Sequence, residues 1–279
     1  MSDKQITINQ HFVPQCYLKE FTNNDWNVFA YNKIWQQLKH KYLPKSILFK
    51  ELLYELDLQD PNNKIENFFA KIEDKYTILS KKMLWLKDPE NFNLTQDEQI
   101  ILLLFILRVS LGNPSQYDNL NNEDFDKLRI RESEANNLSK KGKKKSLDNL
   151  QEHNRQELPI AIQVAFQPIF LLEFILRKKF IFIITKEDNV FLTSDNPVIE
   201  WCEKCTWLLD WTTILTDTNY DVALSPYIYL RIIDKDIEKY SKLENLSLYY
   251  DKNWEISEMH NKKMFNQCRE FVYGNIQNH

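Results

Sequence analysis

Apolar residues along this chain change their spacing twice, and the changes divide it into β-rich ends around a helical middle. The opening residues run as short extended pieces: Ile6-Thr7-Ile8, a turn at Asn23-Asn24-Asp25, and a strand-like Trp26-Asn27-Val28-Phe29-Ala30-Tyr31. Between them, Pro14 suits the first turn of a short helix through Tyr17-Leu18. From Ile47 to Lys178 the spacing becomes helical. Ile65, Phe68, Phe69, Ile72, Tyr76 and Leu79 form one stripe between Asn63 and Leu84. Thr95, with Glu98 three residues on, predicts a capping box opening a helix through Leu111 that Gly112-Asn113-Pro114 stops. That helix is apolar on nearly every side, which places it at the centre of the fold.

A charged stretch from Asp118 to Leu150 follows, interrupted by Lys140-Lys141-Gly142-Lys143-Lys144-Lys145. It reads as a solvated loop between exposed helices or, alternatively, as a patch that contacts phosphate. Pro159 to Leu176 then returns to the core, and the remainder turns to β. Phe180 to Ile184 and Val190 to Thr193 predict a hairpin about Lys186-Glu187-Asp188-Asn189. Val222-Ala223-Leu224 and Ile228 to Ile233 read as further strands, Ser257 to Cys268 as a helix, and Phe271-Val272-Tyr273 as a closing strand. The expected fold class is α+β: a central, mainly helical segment packed on a mostly antiparallel sheet built from the N-terminal and C-terminal strands. No Pro/Gly/Ser-rich linker interrupts the chain, so residues 1–279 read as a single domain.

Composition narrows the chemistry. A hydrophobic content of 43% is enough for one large core. The three glycines, Gly112, Gly142 and Gly274, stand far apart, which argues against the glycine-clustered loops that cradle phosphates or dinucleotides. A net charge of −4 gives no global field to gather nucleic acid, while leaving a local basic groove open. Four cysteines and a polar start suggest a reducing, cytoplasmic compartment. The run from Ile100 to Leu107 is too short to cross a bilayer, so no membrane partner is expected.

Several polar residues need a reason for their position. His11 stands in a β-rich stretch beside Gln15 and serves as base, acid or metal ligand, or else as a satisfied packing residue. Asp195 and Asn196 follow a predicted buried strand, where a rigid element fixes side chains at the edge of a loop. The alternative there is a local turn in which Ser194 or Asp195 caps backbone N–H groups before Pro197. Glu66 and Glu73 fall on one side of the amphipathic helix and suit a divalent cation or acid–base work, or else an ordinary core boundary. Arg108 is the most constrained: it interrupts an apolar helix, cannot deprotonate, and needs an anion, with Glu66, Glu73, Asp195 or a bound ligand as candidates, unless it reaches a nearby surface. Cys202-Glu203-Lys204-Cys205 has the spacing of half a zinc site, but no second pair accompanies it.

The segment Gln10-His11-Phe12-Val13-Pro14-Gln15-Cys16-Tyr17-Leu18-Lys19-Glu20-Phe21-Thr22 resembles the opening signature of a bacterial family known as domain of unknown function 4238. Phe191 to Val198, Leu224-Ser225-Pro226, and Asn261 through Tyr273 resemble its later segments, in family order. Cys16 and Glu20 depart from the pattern, whereas His11, Gln15, Asp195 and Asn196 lie within it. The resemblance brings no reaction with it; it implies that the His11 and Asp195 segments are the family's hallmarks.

Two functions follow as expectations. One is a metal-dependent hydrolase of a phosphodiester or nucleotide. His11, Gln15, Arg108, Asp195 and Asn196 would form its site, and Glu73 with Asp195 would hold Mg or Mn. Nucleic acid or a nucleotide would be its partner. The other is a non-catalytic binding or regulatory module in which the same motifs are structural locks.

Overall fold

The computed structural model describes residues 6–55, 59–84, 93–114, 177–185, 189–201, 218–251 and 254–274. In chain order they form β1 (Asn9–His11), α1 (Gln15–Lys19), β2 (Val28–Asn32), β3 (Gln37–Tyr42), β4 (Phe49–Glu51), α2 (Lys64–Leu84) and α3 (Gln96–Leu111). They continue as β5 (Lys178–Ile184), β6 (Thr193–Ser194), β7 (Val198–Trp201), β8 (Asn219–Ser225), β9 (Ile228–Asp234), β10 (Ser247–Tyr250), α4 (Glu255–Gln267) and β11 (Phe271–Gly274). The fold is mixed α+β with central helices, as the spacing predicts.

One sheet is antiparallel throughout, in the order β3-β2-β11-β6, and joins strands from both ends of the chain. A second runs β10-β5-β9-β8-β7, antiparallel except where β10 lies parallel to β5. A short ribbon pairs β1 with β4, so Phe49–Glu51 is strand although it falls in the span expected to be helical. Strands β8 and β9, α4 and β11 form where predicted, with β8 and β9 paired antiparallel, while the hairpin of Phe180–Ile184 with Val190–Thr193 does not form. Instead β5 lies between β9 and β10, and Thr193 and Ser194 cross to the other sheet to pair with β11. The polar connection after β5 carries no glycine to favour the tight primed turn that such a hairpin needs.

The capping box at Thr95 and Glu98 is formed, and α3 is buried from Leu102 to Leu111 except at Leu104, which is partly buried. Tyr76 of α2 stacks flat on Phe105 of α3, which locks the two helices face to face. Five of the six stripe residues of α2 are buried; Phe68 is 40% exposed and lies off the seam. Glu55 closes the start of α2 by accepting from the backbone N–H of Asn62 and Asn63, and Gln10 donates to the same carboxylate. Among the described residues, no helix is long and apolar enough to cross a membrane. The charged stretch from Asp118 to Leu150 with Lys140 to Lys145, the segment Pro159 to Leu176, and Cys202 and Cys205 lie outside the described residues.

Candidate functional site

Strand geometry sorts the first signature. Alternation along β1 turns Gln10 inward, where its side-chain amide oxygen Oε1 accepts from the Tyr54 backbone N–H at 2.6 Å, and presents His11 to the other face. The His11 ring packs against Phe49 with centroids 5.5 Å apart, and Nδ1 lies 3.4 Å from the Gln15 amide nitrogen. Burial lowers its pKa, with a smaller contribution from the Arg108 charge, against the nearby Lys45 backbone, which raises it. The imidazole is therefore neutral at physiological pH.

Arg108 is 1% exposed, and all three of its guanidinium nitrogens donate. Nε donates to Glu73 Oε1 at 2.8 Å, one terminal nitrogen to the His11 carbonyl at 2.6 Å, and the other to the Phe12 carbonyl at 3.1 Å and the Tyr54 hydroxyl at 3.3 Å. The guanidinium also lies over the Phe69 ring, 4.4 Å from its centroid. Burial works against the charge, but Tyr54, Glu73 and Glu66 outweigh it and hold the group ionised. Of the candidate anions, Glu73 is thus the direct partner. Glu66 sits beside them with Oε2 buried and without a hydrogen bond. Burial pushes its pKa up to about 7; Arg108 pulls it down, and Glu73 and Glu55 push it up further.

The last turn of α3 completes this knot. Tyr54 donates its hydroxyl to the Gly112 carbonyl at 2.8 Å. A Cβ at Gly112 would lie 2.5 Å from the Arg108 carbonyl oxygen and 2.7 Å from its guanidinium. Glycine is needed here for close approach.

The second signature does something else. The Asp195 carboxylate accepts three consecutive backbone N–H groups: Arg269 at 3.0 Å on one oxygen, and Glu270 at 2.8 Å and Phe271 at 3.2 Å on the other. Its own backbone N–H donates to the Phe271 carbonyl, and its carbonyl accepts the Asn113 amide at 2.7 Å. Burial raises the Asp195 pKa, and these N–H groups pull it back toward ionisation. Ser194 Oγ caps the Asn196 N–H, which is the local turn weighed as an alternative, while the Asn196 carbonyl accepts the Gln267 amide. The link from α4 into β11 is therefore fastened by Asp195, and the end of α3 is tied to it through Asn113.

A cleft of about 340 Å³ lies between these fastenings. Phe12, Tyr42, residues 47–50 around β4, Phe271 and Tyr273 line it. Asn113, Pro114, Asp195, Arg269 and Glu270 complete the lining. Phe12 of the first signature and Asp195 of the second thus share one cavity, but the His11 side chain is not among its lining groups.

The family model described as Protein of unknown function (DUF4238) matches residues 9–278. The chain belongs to this family. No curated protein and no solved structure matches it.

In this DUF4238 chain the candidate residues fall into two groups. His11, Gln15, Glu73 and Arg108 gather between β1, α1, α2 and α3, whereas Asp195 and Asn196 gather on the α4–β11 link. Glu73 and Asp195 serve different partners, and among the described residues no group of three or more His, Cys, Asp or Glu side chains is arranged to hold a metal ion. The donor set expected for Mg or Mn is accordingly a poor fit. Tyr54, Asn113 and Gly112 were not singled out as site residues by sequence reasoning; a glycine directly after an arginine-bearing apolar helix was the available signal.

Proposed function

We propose that this chain is a non-catalytic binding module, in which the two signature segments are locks that hold the walls of a ligand cleft. The observation that carries the reading is the Asp195 carboxylate, whose two oxygens accept the N–H groups of residues 269–271, themselves part of the cleft lining. A carboxylate spent on the protein's own backbone has little coordinating capacity left for a cation. Arg108 supports the same reading: all three of its guanidinium nitrogens donate to the protein itself, to Glu73, Tyr54 and two carbonyls.

The decisive assay incubates the protein and its Asp195→Asn variant with Mg²⁺ or Mn²⁺ and bis(p-nitrophenyl) phosphate. The reading predicts no turnover above background for either. Turnover by the wild type that disappears in Asp195→Asn, with the melting temperature unchanged, would overturn it in favour of a metal-dependent phosphodiesterase.

A further inference from the structure

We infer that His260 is an acid-sensitive latch: while neutral it pins α4 to the segment before β6, and protonation of its second ring nitrogen releases the helix. His260 lies midway along α4 and is fully buried. Its Nε2 is 2.9 Å from the Leu192 carbonyl. A carbonyl only accepts, so the proton sits on Nε2 and Nδ1 keeps a lone pair. Among the described residues that Nδ1 is buried without a hydrogen-bond partner. The rings of Phe191 and Tyr229 are set edge-on to the imidazole, with centroids 5.7 and 5.0 Å away. Asn261 repeats the attachment: its amide donates to the Val190 carbonyl, and its oxygen accepts the Leu192 N–H. Two adjacent side chains thus hold α4 to residues 190–192, and of the two only the imidazole titrates.

A second proton would have to sit on Nδ1, inside this packing. Burial pushes the imidazole down to a pKa of about 4, against the Leu192 hydrogen bond, which raises it. The charged groups that act on the ring are Asp221 on β8, Lys263 on α4 and Arg231 on β9, beside the Tyr229 hydroxyl. Asp221 favours an imidazolium, but its two oxygens accept from Arg231 at 2.8 and 2.9 Å, and Lys263 and Arg231 oppose the charge. Val190, Phe191 and Leu192 bring no titratable side chain. An unfolded histidine titrates near the ordinary 6.5. As pH falls from 6.5 toward 4, the unfolded chain therefore takes up a proton that the native ring does not, and stability falls; above 6.5 the latch contributes in full. The helix leads into residues 269–271, which line the cleft and are held by Asp195, so releasing α4 loosens that part of the lining.

The test follows urea unfolding and amide hydrogen exchange of the full chain between pH 7 and pH 4, for the wild type, His260→Gln and His260→Phe. Gln offers the Leu192 carbonyl an amide donor, Phe keeps a ring in the packing, and neither titrates. The unfolding equilibrium constant of the wild type should rise over this range by about 100-fold more than that of either variant, and the α4 amides should lose protection over the same range. The same pH dependence in the wild type and the variants overturns the inference. Should both variants fail to fold, the imidazole NMR signals of the wild type decide. Proton uptake by His260 that coincides with loss of α4 protection supports the latch; uptake while α4 stays protected overturns it.

Discussion

Arg108 donates to the backbone carbonyl of His11 at 2.6 Å, while the His11 imidazole turns away to Gln15 and Phe49. The guanidinium therefore grips the first signature by its main chain, and Glu73 balances the charge from α2. A buried arginine whose three guanidinium nitrogens all donate welds three segments that are distant in sequence: β1, α2 and α3.

Replacing Arg108 by Leu should cost about 3 kcal/mol, because the Glu73 carboxylate and the His11 and Phe12 carbonyls are left without their donor. Arg108→Lys should recover little of this, since an ammonium cannot reproduce the fork. Urea unfolding of both variants measures it. A Lys variant as stable as the wild type would show that the fork geometry is irrelevant.

Gly112→Ala should destabilise by more than about 1 kcal/mol, against the gain usually expected for Gly→Ala near a helix end. The new methyl would meet the Arg108 carbonyl at 2.5 Å and its guanidinium at 2.7 Å, with the Tyr54 hydroxyl at 3.1 Å. Thermal melts check the sign, and a raised melting temperature would mean that the knot has room to relax.

Glu66 predicts a pH dependence. Its folded pKa is pushed from the ordinary 4.5 to about 7, so between those values the native state binds more protons than the unfolded chain. Stability should then fall as pH rises through that window, by roughly 1–3 kcal/mol given the partial exposure of the side chain. Glu66→Gln should flatten this slope and be the more stable protein at pH 8. Chemical denaturation across pH 4.5–8 decides it; a wild-type slope of opposite sign, or one that Glu66→Gln keeps, contradicts the assignment.

Much of the framework was legible in the sequence because it rests on local rules. The capping box at Thr95 needs only Thr and Glu at the right spacing, and the α2 stripe only a helical period. Arg108 was legible as a residue in need of an anion, since a charge in an apolar helix permits no other outcome away from the surface. What it binds on its other side was not, because a carbonyl partner leaves no mark on side-chain identity, and His11 looks the same whether its ring or its backbone is used. Asp195 was similarly ambiguous. Its partners lie more than seventy residues onward on the backbone of 269–271, and nothing in Arg-Glu-Phe announces that its N–H groups are the ones to be held. The failed hairpin at Phe180 has the same origin, as the partners of β5 are the distant strands β9 and β10, whose pairing leaves no local mark on the sequence of β5.

A side-chain comparison follows from the backbone role of the first signature. His11→Ala should cost about 1 kcal/mol, because the Arg108–carbonyl bond survives and the losses are the Phe49 contact and the Gln15 hydrogen bond. A loss as large as that of Arg108→Leu, measured by the same urea titration, would show that the imidazole itself carries the lock.

The central claim is that Asp195 fastens the fold. Its most direct test is the unfolding free energy of Asp195→Ala at neutral pH. The account predicts a loss of about 3 kcal/mol or more, as three N–H groups lose a charged acceptor, with the largest NMR perturbations at residues 269–271. Unchanged or increased stability in Asp195→Ala would mean that this carboxylate is held at a cost, as a functional group is, and would contradict the account.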